Sequence, residues 1–172
     1  MFIDNKLTAE VNAMHDYRRA LGQFATGITI VTALDAQGKP VGLTANSFTS
    51  VSLKPRLISW SLGKASKNAP AFLDAEGFCV NVLTSRQQVL SDRFANGRID
   101  KYEGVDWEPS TCGAPKLKGV AAHFECRLHS AIEAGDHYMF LGEVVEYSSQ
   151  IADPLLFVAG SYARVERASA AS

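Results

Sequence analysis

Apolar residues recur along this 172-residue chain at two different periods, and the switches between them divide it into elements. From Thr8 to Ala25, the positions Val11, Met14, Tyr17, Ala20, Leu21 and Phe24 follow three- and four-residue steps. That spacing predicts an amphipathic helix, ended by Gly27. Ile28 to Leu34 is rich in β-branched residues and predicts a strand. The turn Asp35-Ala36-Gln37-Gly38 then leads into a second strand from Val41, forming a hairpin. Arg56 to Leu62 and Phe78 to Leu83 predict two more strands. Between them, Ser66 is placed to cap a short helix from Lys67 to Ala75. Pro70 falls in its first turn, where a missing N–H does little harm. Ser85, with Gln88 three residues on, makes a capping-box pattern for a helix running to Ala95. Residues 96–119 are punctuated by glycine and proline and predict loop.

Phe124 to Ile132 alternates with period two, Ala134-Gly135-Asp136 is a turn, and His137 to Tyr147 returns. Both faces of the returning strand are largely apolar, which predicts burial on both sides, in a barrel or at an interface. Leu155 to Val165 predicts a last strand, and residues 1–7 and 166–172 predict flexible tails. Many strands with hairpin links and few helices predict a mainly β fold, an antiparallel β-barrel with peripheral helices. The length predicts a single domain over 1–172. The helix–strand alternation of a parallel nucleotide-binding sheet is missing.

Composition narrows the function. The formal net charge is -1, so there is no electrostatic footprint for nucleic acid and no basic block for an anionic membrane. Cys79, Cys112 and Cys126 are odd in number and none has CxxC spacing. This fits a reducing compartment better than a disulfide framework. No apolar run reaches a membrane span and the N-terminus has no signal-peptide core, so a cytoplasmic protein is expected. GxGxxG, GxxxxGK[ST] and GxSxG motifs are absent. His123 and His129 lack a nearby third ligand, and no metal site is expected. Trp60 alternates within a strand and reads as core or interface. Cys79 and Cys126 lie on strand patterns and should be buried and inert.

One stretch departs from this bland picture. Residues 42–53, GLTANSFTSVSL, carry hydroxyl or amide groups at Thr44, Asn46, Ser47, Thr49, Ser50 and Ser52, yet lie between apolar strands. Phosphates seek backbone N–H groups, hydroxyls and a cation. A flat heterocycle with carbonyls and ring nitrogens seeks backbone and amide groups along one edge. The stretch offers both kinds, and Gly63-Lys64-Ala65-Ser66-Lys67-Asn68 adds hydroxyl and ammonium just downstream. On spacing alone, a ligand cradle and a decorated Ser/Thr-rich turn describe it equally well.

Five segments together resemble the flavin reductase-like family, the FMN-binding split-barrel reductases. They are FATGITIVTA (24–33), GLTANSFTSVSLKP (42–55), FCVNVL (78–83), AGDHYMFLGEV (134–144) and PLLFVAGSY (154–162), in the family's order from about Tyr17 to Val165. The resemblance implies an NAD(P)H:flavin oxidoreductase on a Greek-key-like split barrel. It would transfer hydride from NADH or NADPH to FMN or FAD and supply a separate monooxygenase. It implies that Thr44, Ala45, Asn46 and Ser47 line the flavin ring and ribityl chain, and that Ser50, Val51 and Ser52 continue along the flavin. Ser61, Ser66, Lys67 and Asn68 would hold the phosphate end, and His137 of the GDH motif would meet the nicotinamide. Gly160 and Tyr162 would border the pocket. It also implies a homodimer with flavin near the subunit interface. Two other readings stay open: a pyridoxamine-phosphate-oxidase-like FMN oxidase on the same barrel, and a non-catalytic flavin carrier.

Overall fold

The computed structural model describes residues 5–97 and 100–166, with side chains from Val11 onward. Its elements are α1 (Asn5–Leu21), β1 (Thr26–Gly27), β2 (Thr29–Leu34), β3 (Pro40–Ala45), β4 (Thr49–Leu53) and β5 (Arg56–Gly63). Next come α2 (Ala69–Asp74), β6 (Gly77–Val82), α3 (Gln88–Ala95), β7 (Trp107–Pro109) and β8 (Pro115–Leu117). The chain closes with β9 (Ala122–Ala134), β10 (His137–Ser149), β11 (Leu156–Val158) and β12 (Ser161–Ala163).

Seven strands form one antiparallel sheet in the order β3-β2-β6-β9-β10-β5-β4. Strands β3 and β4 are neighbours in sequence but occupy opposite edges. The sheet curls until β3 touches β5, and the barrel stays split between β3 and β4. The mainly β, antiparallel barrel expected from the pattern is therefore the fold. Period-two alternation explains how it fills. On β5, Ile58, Trp60 and Leu62 point into the core and are buried, while Ser59 and Ser61 take the other face. Trp60 stacks on Phe140 with ring centroids 4.7 Å apart and meets Phe72 and Phe78 edge-on. A second cluster, built on Ile28, Ile30, Leu83, Phe94 and Leu117, lies under α3 and the C-terminal hairpin.

Several boundaries differ from expectation for identifiable reasons. The tails expected at 1–7 and 166–172 lie mostly outside the described residues, and α1 already begins at Asn5. Its apolar stripe is exposed, Tyr17 at 65% and Leu21 at 57%. The expected Ser85–Gln88 capping box does not form: α3 starts at Gln88 with Gln87 at its N-cap position and no side-chain cap, and the Gln87 side chain instead accepts from the Thr84 backbone N–H at 3.0 Å in the turn before it. Ser66 does not cap α2, which starts at Ala69. Its hydroxyl instead accepts from the Asn68 N–H at 3.3 Å. The loop at 96–119 contains the small hairpin β7–β8. The last strand is two strands, because Ala159 and Gly160 both take left-handed backbone angles (φ 49° and 78°) and turn the chain. On β10 the inner face is core, while Met139, Leu141 and Glu143 on the outer face are only half-buried.

Candidate flavin site at the barrel seam

The GLTANSFTSVSL stretch crosses the split. Its first residues finish β3, Asn46 to Phe48 bridge the gap, and the rest forms the edge strand β4. Phe48 pins the bridge by stacking on Phe124 at 5.4 Å. Asn46 and Ser47 stay exposed beside it. β4 pairs only with β5, so its outer edge presents unpaired backbone N–H and C=O groups. A bulge between Ser50 and Ser52 leaves Val51 unopposed and 51% exposed. The polar residues of this stretch therefore coincide with the split between β3 and β4.

Register brings the expected residues together along one face. The Ser47 hydroxyl accepts from the Ser61 N–H at 2.9 Å and donates to the Ser61 carbonyl at 3.1 Å. Ser61 pairs with Met139 and Gly63 with His137. The imidazole stands beside Gly63, with Nε2 3.8 Å from where a Cβ would be. Asp136 fixes the ring from the other side at 2.7 Å from Nδ1. The bond to His137 holds the Asp136 carboxyl below the usual carboxylate range. That carboxylate accepts from Nδ1–H, which leaves Nε2 without a hydrogen bond beside Gly63 among the described residues. Beside it, Lys64 is tied to Glu133 at 2.7 Å across the hairpin that opens β10, and that bond raises its pKa.

Other expected residues stand apart. Ala45 belongs to the core. The Thr44 hydroxyl is spent on the Ser91 carbonyl of α3 at 2.6 Å rather than facing the seam. Gly160 and Tyr162 lie on the C-terminal hairpin. The Tyr162 hydroxyl donates to Asp92 at 2.7 Å and sits 2.9 Å from the Ser91 hydroxyl. Tyr162 reaches Thr44 through Ser91. Ser52 accepts from the Lys54 N–H at 3.2 Å, and Thr49 donates weakly to the Ser50 carbonyl at 3.4 Å. Ser50 and Lys67 are exposed. The Asn68 amide donates to the Gly42 carbonyl at 3.3 Å, and it shares that oxygen with Lys101, a residue no motif pointed to. Ser91 and Asp92 were likewise missed, since only the tertiary fold carries α3 to Thr44. Cys79 and Cys126 are buried, and burial pushes the Cys126 thiol up to about 12, so neither is a nucleophile.

The description "Flavin reductase like domain" matches residues 21–166. The chain belongs to the flavin reductase-like family. Among its relatives, the FMN reductase (NADH) SmoA of Agrobacterium fabrum is 46% identical over 152 residues, covering 88% of this chain and 86% of the relative. HsaB of Rhodococcus jostii, the reductase subunit of a flavin-dependent monooxygenase, is 40% identical over 95% of this chain and 84% of its own length. The crystal structure of a nitrilotriacetate monooxygenase component B homolog from Mycobacterium thermoresistibile superposes with a TM-score of 0.88. It is 38% identical, with 95% of this chain and 93% of that one covered. Flavin reductase membership thus joins the split-barrel geometry to the five-segment resemblance.

Proposed function

We propose that the chain is an NADH-dependent flavin reductase that passes reduced flavin to a separate monooxygenase component. The observation that carries this reading is the coincidence of polar side chains, open strand edge and His137 Nε2 at the barrel seam. The donor set fits a flavin: hydroxyls, an amide and backbone N–H groups along one edge, with lysines beyond. The bound cofactors supply hydride-transfer chemistry, and the protein's task is to position them. Asn46 and the open edge of β4 bind the heterocycle and stabilise charge developing on its polar rim. Ser47 and Ser61, locked to each other, keep that edge in register. His137, held by Asp136, accepts a hydrogen bond from the nicotinamide carboxamide. No residue needs to act as a strong acid or base for this step, consistent with the neutral donors at the seam.

The working unit is a homodimer in a reducing compartment such as the cytoplasm. Support comes from α1, whose apolar side chains from Val11 to Leu21 lie exposed. Helices in proteins draw most of their stability from packing such a face. A second copy would cover it. No helix among the described residues is long and apolar enough to cross a membrane.

Steady-state oxidation of NADH and NADPH, with FMN, FAD and riboflavin added separately, tests the activity. Consumption of NADH that depends on added flavin is expected. A tightly bound FMN with no reduction of free flavin would favour the oxidase reading, and flavin binding without turnover would favour the carrier.

A further inference from the structure

Strand β3 reaches the seam with no strand on its outer side, since it pairs only with β2. Backbone without a ladder on one side opens locally more easily than the wall does. Helix α3 takes the place of the missing neighbour. Thr44, last but one in β3, donates its hydroxyl to the Ser91 carbonyl at 2.6 Å.

On its own α3 is a weak support. It has eight residues and no side-chain cap at its N-terminus. So short a helix draws its stability from packing rather than from itself. Ser91 and Phe94, three residues apart on one face, are the residues it buries. Phe94 packs into the second core cluster. Ser91 is also fully buried, at a position where an apolar side chain would leave no hydroxyl to satisfy.

That hydroxyl lies 2.9 Å from the Tyr162 hydroxyl, which donates to the Asp92 carboxylate at 2.7 Å. Tyr162 has one proton and gives it to Asp92, so Ser91 donates to the Tyr162 oxygen. Tyr162 is itself fixed. Its ring meets Phe157 edge-on at 5.5 Å, and its strand β12 pairs with β11, which pairs with β1. A run of bonds therefore leads from the C-terminal hairpin, through α3, to the residue two before Asn46.

We propose that Tyr162 and Ser91 are positioning residues for the flavin cradle. The C-terminal hairpin holds α3, and α3 holds the free edge of β3 at the bridge from Asn46 to Phe48 without closing the split. The inference rests on the flavin reductase reading and adds to it a clamp that acts through Thr44 rather than on the ligand.

Fluorescence titration of FMN, FAD and riboflavin onto the parent chain, Tyr162→Phe, Thr44→Val and the double variant tests it, beside the KM for NADH and the melting temperature. Tyr162→Phe keeps the ring on Phe157 and removes only the hydroxyl. Its affinity for all three flavins should fall about fivefold, the loss of one useful hydrogen bond, with the KM for NADH within about twofold of the parent. Thr44→Val should lose as much, and the double variant no more than either, because the two residues act in series. Parent-like flavin affinity in folded Tyr162→Phe, a loss confined to FMN and FAD, an equal rise in the KM for NADH, or additive losses would each overturn the clamp while leaving the reductase reading intact. A parent chain that binds no flavin would overturn both. Should Tyr162→Phe fail to fold, exposed Asp92 gives the answer. Asp92→Asn keeps an acceptor for Tyr162 and should bind flavin like the parent, whereas Asp92→Ala should lose about fivefold. Equal flavin affinity in these two variants would contradict the proposal.

Discussion

The closed wall of the barrel and its seam are made from the same kind of strand, yet they are built to opposite ends. Along β2, β6 and β9 every strand has a neighbour on both sides, and the backbone groups are consumed internally. The side chains there can be apolar: Val31, Phe78, Val80 and Cys126 are buried with no polar task. At the seam β3 and β4 each lack one neighbour. Hydroxyl and amide side chains gather at that gap, and Asn46 is left exposed. The wall stores stability, whereas the seam keeps hydrogen-bonding capacity available for a ligand. Each region can be damaged separately, and the comparison sharpens if the effects separate too.

The largest effect on stability belongs to the wall. Phe140→Ala removes the ring stacked on Trp60 and should cost roughly 3–5 kcal/mol. Chemical denaturation would show it as a lower midpoint at unchanged slope. Glu125, also on the wall, is buried at 3% exposure and pins the β7–β8 hairpin. It accepts the Thr111 N–H at 2.7 Å and the Lys116 ammonium at 3.2 Å. Burial pushes its carboxyl up, but these two bonds outweigh burial and leave its pKa lowered. A lowered folded pKa means the contribution is full above the ordinary carboxylate range and fades as pH falls through the folded value. Glu125→Gln should therefore lose about 2 kcal/mol at neutral pH and show a flatter acid limb in melting temperature against pH. An acid limb identical to the parent's would contradict that.

Seam substitutions should barely move the melting temperature. His137→Ala removes an exposed ring whose side-chain bond among the described residues is to exposed Asp136. It should raise the KM for NADH more than it weakens flavin binding. Unchanged kinetics would remove His137 from the mechanism.

Much of this was legible in the chain, and the residues show why. RLISWSL announces its two faces by alternation, and Trp60 landed in the core as its position in the strand suggested. The five segments were enough to indicate the split barrel. What alternation does not encode is which strands meet. Residues 42–53 read as one polar-rich run, and only the sheet order sends its two ends, in β3 and β4, to opposite edges. The break at Ala159–Gly160 was hidden because Phe157 and Tyr162 continue a strand-like pattern on either side of it. Lys101 was invisible because its partners, Gly42 and Asn68, lie far away in sequence. The apolar stripe of α1 was legible, but the helix ends at Leu21 rather than at Ala25, which leaves Phe24 beyond it, and the stripe from Val11 to Leu21 is exposed.

The most direct test is the affinity of Asn46→Leu for FMN, measured beside its melting temperature. Asn46 is exposed at the seam and holds up no part of the wall. The seam account predicts flavin affinity about tenfold lower, the loss of roughly one useful hydrogen bond, with the melting temperature unchanged. Parent-like FMN affinity in a folded Asn46→Leu would contradict it.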